Sequence, residues 1–312
     1  MARLLVTADY LHPGDAVDAY LRAHGHAPVH APMTGRRGED ELAALLDGVE
    51  GALIANEPMT AAVLARATAL RAVVRTGVGY DSVDVAAARR LGISVSNLPG
   101  INANAVAEFT IGLVLSASRH LVGLATGVAA GRWPRTDGRE LRGSTLGLVG
   151  FGATARAVVP LARAFGMTVL CHTPRVPDDA SGVEFVDFPA LLARSDVVSL
   201  HAALNDATRG LIDARALAAM KPTALLVNTA RGPLVDETAL ADAVRTGRIA
   251  GAALDVTAVE PLPADSVLRD VEGITVTSHM AGQTAQARAA AGREGAIELV
   301  AALAGEPAFR VG

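Results

Sequence analysis

Cysteine occurs once in the 312 residues, at Cys171, so no intrachain disulfide can form. The ordinary reading of such a residue is a small buried apolar side chain on a strand. Aromatic residues make up only 3% of the chain, and Trp133 is the only tryptophan, so Ala, Val and Leu must build the core. Positive charge is not in excess: 28 Lys and Arg against 32 Asp and Glu leave a net charge of −4. That balance excludes the basic face of a typical nucleic-acid binder. No long apolar run is free of charge. The best candidate, residues 111–130, is broken by Arg119 and His120 and makes a poor membrane span. The first nine residues hold too short an apolar run for a signal peptide. No Gly-x-Ser-x-Gly elbow or phosphate-loop lysine motif is present. His12, His24, His26, His30, His120, His172 and His201 show no metal-ligand spacing, so no metal is assigned. These absences point to a cytoplasmic protein with neither membrane nor nucleic acid as partner.

What is present is a repeated strand–helix rhythm. A chain of this length buries about 75% of its unfolded surface and suits two domains. In the first third, apolar runs predict strands over 4–8, 52–55, 72–74 and 93–95, with helices over 16–23, 61–69 and 85–91. This alternation implies parallel strands joined by crossover helices. Asn104 is a fair N-cap for a long helix over 105–121, and residues 122–142, rich in glycine, read as an arm or connector. A second series predicts strands over 168–172, 197–201, 224–228, 251–255 and 274–277, and a helix over 283–304 closes the chain.

Between the two series lies Gly150-Phe151-Gly152-Ala153-Thr154-Ala155, after the apolar strand residues Leu146, Leu148 and Val149. Gly150 permits a tight turn, and Gly152 removes a side chain where a pyrophosphate would approach the backbone. The following helix points free N–H groups and its positive dipole end at the turn. The pattern is of the G-x-G-x-x-G/A kind, with Ala155 in the third small position. Pro160 within that helix predicts a kink. A second glycine turn, Thr76-Gly77-Val78-Gly79, follows a strand and can hold a small anion through its N–H groups; an ordinary permissive turn is the plainer alternative.

Ligands of open parallel sheets bind at the carboxyl ends of strands. Arg231, Asp255 and His279 fall at or just past such ends, and Glu260 lies in the loop after Asp255. Hydride transfer to a 2-oxo acid needs these residue types. The carbonyl oxygen must receive a proton, which histidine can supply near neutral pH, the more so beside a carboxylate such as Glu260. Arginine can hold the substrate carboxylate in a bidentate contact. Each also has a structural reading: a hydrogen-bonding histidine, and surface ion-pair partners.

Taken together, Arg75–Asp84 (Arg-Thr-Gly-Val-Gly-Tyr-Asp-Ser-Val-Asp), Asn104-Ala-Val-Ala-Glu108, residues 146–155, Asp196–His201, Met220–Gly232, Ala253-Leu-Asp255, Glu260-Pro-Leu-Pro263 and Ser278–Gly282 resemble the D-isomer-specific 2-hydroxyacid dehydrogenases over nearly the whole chain. The wording around Asn56-Glu-Pro-Met-Thr60 is most similar to the phosphoglycerate-dehydrogenase-like branch. The resemblance implies an α/β fold of two doubly wound parallel-sheet domains. A Rossmann-type cofactor domain (100–282) would be inserted in a smaller flavodoxin-like substrate domain (1–99 and 283–312). It implies a catalytic set of Arg231, Glu260 and His279, and substrate binding by Thr76, Gly77, Val78 and Gly79. It assigns His201, Thr229, Ala230, Asp255 and Gly282 to the nicotinamide dinucleotide along with Gly150–Thr154. It also implies a homodimer formed through the long helix and arm.

One departure concerns the cofactor. NAD-specific relatives carry an acid where this chain has Thr173, at the end of the strand Cys171-His-Thr-Pro-Arg175. Thr173 removes a charge that would repel a 2′-phosphate, and Arg175 can pair with one, so NADP(H) is favoured over NAD(H). The substrate is expected to be a phosphoglycerate-, glyoxylate/hydroxypyruvate- or phosphonate-type acid. Rival readings are a formate or phosphite dehydrogenase on the same fold and a dinucleotide-sensing protein similar to co-repressors. Glu260, where formate dehydrogenases carry glutamine, disfavours formate.

Overall fold

The computed structural model describes residues 1–33, 35, 37–179 and 182–311. The chain divides into two compact units, Met1–Asn102 with Gln283–Gly312, and Ala103–Gly282.

The first unit runs β1 (Arg3–Val6), α1 (Ala16–Ala23), β2 (Ala27–His30), α2 (Glu39–Leu45), β3 (Gly51–Ile54), α3 (Ala61–Arg66), β4 (Ala72–Arg75), α4 (Val85–Arg90) and β5 (Ser94–Ser96). Its five strands are parallel in the order β2-β1-β3-β4-β5, the flavodoxin-like order. Side chains alternate across the sheet. Leu5, Ala52, Ile54 and Val73 pack on one face, and Leu4, Val6, Leu53 and Val74 on the other. Asp15, Thr60 and Asp84 cap α1, α3 and α4 with side-chain oxygens. Two elements were not legible as such. The strand β2 contains Pro28 and His30, which obscure its pattern; proline is tolerated because β2 is an edge strand. The helix α2 opens with Glu39, Asp40 and Glu41, which favour its N-terminal dipole but hide its apolar stripe.

The second unit begins with α5 (Ala103–Ser118) and α6 (Leu121–Ala129), followed by β6 (Thr145–Val149), α7 (Ala153–Ala164), β7 (Thr168–His172), β8 (Glu184–Phe185), α8 (Phe188–Arg194) and β9 (Val197–Leu200). Then come α9 (Ala214–Ala219), β10 (Leu225–Asn228), α10 (Glu237–Arg245), β11 (Gly251–Leu254) and β12 (Ile274–Val276). All seven strands are parallel, in the order β12-β11-β10-β9-β6-β7-β8. Counted from β6, this is the Rossmann order extended by a seventh strand, with its switch point between β6 and β9. The chain closes with α11 (Ala285–Ala304), which packs Ala296, Leu299, Ala302 and Leu303 on the first unit's sheet.

Two local expectations are corrected. Asn104 lies inside the first turn of α5 and is not its cap. Residues 122–129, read as connector, belong to the helix Leu121–Ala129, which leaves α5 at 66° where His120 adopts φ +54. Pro160 is contained within the continuous helix α7. Among the described residues no single helix is long and apolar enough to cross a membrane.

Asp18 ties α1 to the edge strand. It is buried, accepts from Arg22 Nε at 2.8 Å and lies 3.0 Å from His30 Nε2. The Arg22 hydrogen bond, opposed by burial and aided by His30, lowers its carboxyl to about 2. The sign follows from linkage: a depressed folded value contributes stability that is full above about pH 4 and is lost as pH falls towards 2. Asp18→Asn is expected to cost about 1–3 kcal/mol in urea unfolding at pH 7, with the gap to wild type closing in acid.

Candidate active site

The glycine turn follows β6 directly. Gly150 has φ +93, and a Cβ there would sit 2.8 Å from the Ala202 nitrogen and 2.9 Å from the His201 carbonyl carbon. Both backbone shape and space therefore demand glycine. Gly152 occupies the N-cap position of α7 but supplies no side-chain cap, and nothing lies within 4 Å of where its Cβ would be. The first turn of α7, including Ala153 and Thr154, is thus open towards an anion. These residues fit a dinucleotide pyrophosphate. The Phe151 ring packs edge-on against Phe185 at 5.3 Å and beneath Arg156 at 4.8 Å, so at the turn it offers backbone rather than ring. Past β7, Thr173 is half-buried and Arg175 exposed.

His201 follows β9, across the switch point. Its Nε2 lies 2.9 Å from Ser199 Oγ, and desolvation pushes the imidazole down to about 4, so it is neutral at physiological pH. Cys171 on β7 is buried and its thiol is pushed up to about 12, which makes it inert.

The turn after β10 is organised by Asn228, which the sequence reading did not single out. Its Oδ1 accepts from the Ala230 amide at 3.0 Å, and its Nδ2 donates to the Arg231 carbonyl at 2.8 Å. The Thr229 hydroxyl is buried 3.0 Å from Thr110 Oγ1 on α5, so that side chain serves packing. Arg231 emerges from this turn, with Nη1 donating to the Ala230 carbonyl at 2.7 Å.

Asp255, just past β11, is 1% exposed. One carboxylate oxygen accepts from Thr277 Oγ1 at 2.6 Å and the Met280 amide at 2.9 Å, and the other from the Ala281 amide at 2.7 Å. Its carbonyl accepts from the His279 amide at 2.8 Å. Asp255 therefore wraps the turn that carries His279, and Gly282 ends that turn. His279 itself has φ +58, a strained conformation for a non-glycine residue that the surrounding bonds over-determine. Its Nδ1 lies 2.7 Å from Glu260 Oε2, while Glu260 Oε1 accepts from the Thr257 amide at 3.1 Å. Burial pushes the Glu260 carboxyl up, but the His279 hydrogen bond and charge, the Thr257 amide and the Arg231 charge together hold it below the usual carboxylate range. Glu260 is thus ionised at neutral pH and fixes the ring, leaving Nε2 for a reacting group. Among the described residues no cluster of His, Cys, Asp and Glu could hold a metal.

In the first unit, the turn after β4 is tied inward. Thr76 Oγ1 donates to the Ile54 carbonyl at 2.9 Å, the Gly77 carbonyl accepts from Leu98, and the Val78 carbonyl accepts from Asn97 Nδ2 at 2.6 Å. Among the described residues the Val78 and Gly79 amides have no acceptor. Buried Asn97, absent from the sequence reading, fixes this turn.

Open parallel sheets of this order bind nucleotide cofactors in the crevice at the switch point, the edge on which the glycine turn lies. The family model described as D-isomer specific 2-hydroxyacid dehydrogenase, NAD binding domain, matches residues 111–281. The chain is 45% identical over 255 residues to the (S)-sulfolactate dehydrogenase of Chromohalobacter salexigens, covering 78% of this chain and 82% of that one. It is 44% identical over 251 residues to the D-3-phosphoglycerate dehydrogenase of Mycobacterium leprae, covering 79% of this chain but only 47% of that relative. The solved structure of the TT0316 protein from Thermus thermophilus superposes with TM-score 0.91 at 37% identity, covering 99% of this chain and all of that one. The chain belongs to the D-isomer-specific 2-hydroxyacid dehydrogenase family. It is an oxidoreductase that exchanges hydride between a nicotinamide cofactor and a 2-hydroxy or 2-oxo acid.

Proposed function

We propose that this dehydrogenase acts on a 2-oxo or D-2-hydroxy acid with NADP(H) in preference to NAD(H), using His279, Glu260 and Arg231. The observation that carries the reading is the 2.7 Å contact between His279 Nδ1 and Glu260 Oε2, on a turn held by Asp255. The nicotinamide, when bound, supplies or accepts the hydride. During reduction, His279 Nε2–H donates a proton to the carbonyl oxygen, and in the reverse direction the neutral ring takes it back. Glu260 holds Nδ1 and fixes the orientation of the ring. Arg231 pairs with the substrate carboxylate. The Val78 and Gly79 amides serve as a cradle for the same type of group. The Ala103–Gly282 unit is the cofactor domain in this reading, and the other unit the substrate domain.

The cofactor preference rests on Thr173 and the exposed Arg175. The substrates named for the relatives above suggest a sulfonated or phosphorylated three-carbon acid for this chain. A homodimer agrees with the exposed apolar residues Leu121, Val122 and Val128 on α6 and with Trp133, 79% exposed. A cytoplasmic setting agrees with one unpaired buried thiol.

The deciding experiment measures kcat/KM for NADPH and NADH with a panel of 2-oxo acids. NADPH is expected to lead by about tenfold or more, the worth of one charge-assisted contact; a strong NADH preference overturns the assignment of Thr173 and Arg175. Tight dinucleotide binding with no turnover across the panel would instead favour the sensing reading.

A further inference from the structure

Beside the Thr76–Gly79 turn stands a second cationic locus that the catalytic scheme does not use. Tyr10 is partly buried and lies close to the Thr76 side chain. Burial pushes the Tyr10 hydroxyl above its usual range, so it remains a donor at neutral pH. The Arg288 guanidinium, from the first turns of α11, lies 5.3 Å over the Tyr10 ring. Its Nε donates to Gln283 Oε1 at 2.7 Å, which fixes the plane of the group. Among the described residues its terminal nitrogens meet no carboxylate. Arg75 adds a second positive charge near Tyr10, and Asp9, which is exposed, is the weakest of these electrostatic influences. The Thr76 methyl packs near α11 at Gly295, so the turn and the helix bearing Arg288 are neighbours within one unit.

A half-buried guanidinium that is oriented by a neutral amide and an aromatic face, and lacks an acid, is suited to an incoming anion. We propose that Arg288, seated on Tyr10, is the subsite for a second anionic group of the substrate, a tetrahedral sulfonate or phosphate carried on C3. The assignment rests on the reading that the Val78 and Gly79 amides hold the substrate carboxylate. It makes Arg288 the residue that separates 2-oxo acids with a second anionic group from neutral-tailed ones such as hydroxypyruvate.

The test compares kcat/KM for 3-sulfopyruvate, 3-phosphohydroxypyruvate and hydroxypyruvate in the wild type, Arg288→Met and Arg288→Lys. In the wild type one of the two anionic acids is expected to exceed hydroxypyruvate by about tenfold or more, and its identity tells sulfonate from phosphate. Arg288→Met is expected to lower that ratio by about 10- to 100-fold, chiefly through KM, and Arg288→Lys to restore part of it, since an ammonium keeps the charge but loses the fork. Should Arg288→Met fail to fold, Arg288→Lys decides alone, with a fall of about threefold or more expected. An unchanged ratio overturns the subsite while leaving the dehydrogenase reading intact. Absence of turnover with all three acids, and with the wider panel, overturns both.

Discussion

Replacement of His279 by glutamine is expected to lower kcat for 2-oxo acid reduction by about 10²- to 10⁴-fold, the usual worth of a general acid, with dinucleotide affinity nearly unchanged. Glutamine keeps roughly the volume of the ring and a hydrogen bond to Glu260, but it cannot deliver a proton. The bonds that hold the turn run from backbone to Asp255, so they survive the substitution. Stopped-flow turnover and fluorescence titration of the reduced cofactor separate the two effects. Full activity in His279→Gln would remove the residue from the chemistry, and loss of cofactor binding would make it structural. Glu260→Gln gives a smaller effect of the same kind. The Glu260 carboxylate lies 2.7 Å from His279 Nδ1 and accepts from the Thr257 amide at 3.1 Å. Loss of that charged anchor lets the ring drift from its position, so kcat is expected to fall by about 10- to 100-fold, the cost of a misplaced catalytic group, with dinucleotide affinity nearly unchanged. An unchanged kcat would reduce Glu260 to a spacer.

The parts of this molecule that follow short-range rules were legible in the sequence. The glycine turn could be read because Gly150 and Gly152 answer a local demand at the end of an apolar strand. Both sheets could be read because central parallel strands are continuous apolar runs, such as Gly51–Ile54 and Val197–Leu200. Two of the edge strands could not: β2 is solvated and carries a proline, and β8 has only two residues. The site residues were picked out by their place at strand ends, but what holds them came from contacts distant in sequence. Asp255 was assigned to the cofactor by resemblance, and nothing in its neighbourhood announced that Thr277, Met280 and Ala281 converge on its carboxylate. The left-handed backbone of His279 was equally hidden, since most residues adopting it are glycine or asparagine. Asn97 and Asn228 escaped notice because an amide bonding to a turn has no sequence period.

The sharpest contrast is expected between two glycines given the same methyl group. A Cβ at Gly232 would overlap the Thr257 carbonyl and the Ala258 amide, both backbone, so the loop after β10 and the loop after β11 must separate. Those loops carry Arg231 and Glu260, and Glu260 is anchored to the Thr257 amide. Gly232→Ala is therefore expected to lower kcat/KM by about 10²-fold, the cost of displacing catalytic groups by about 1 Å, and to reduce stability by about 1–3 kcal/mol through overpacking. Dinucleotide affinity should change little, because the Gly150 turn follows a different strand. Gly152→Ala should behave in the opposite way. Its φ is −84, acceptable for alanine, and its Cβ would meet nothing within 4 Å of the protein alone. Stability should be unchanged or slightly raised, while the Kd for the reduced cofactor should rise by about tenfold or more, since the methyl would occupy the space through which a pyrophosphate approaches the backbone. Thermal unfolding without cofactor, cofactor titration and kcat/KM, measured on both variants, decide the matter. A Gly152→Ala variant with wild-type affinity would place the pyrophosphate elsewhere. A Gly232→Ala variant with full turnover would show that the two loops can part without disturbing Arg231 and Glu260.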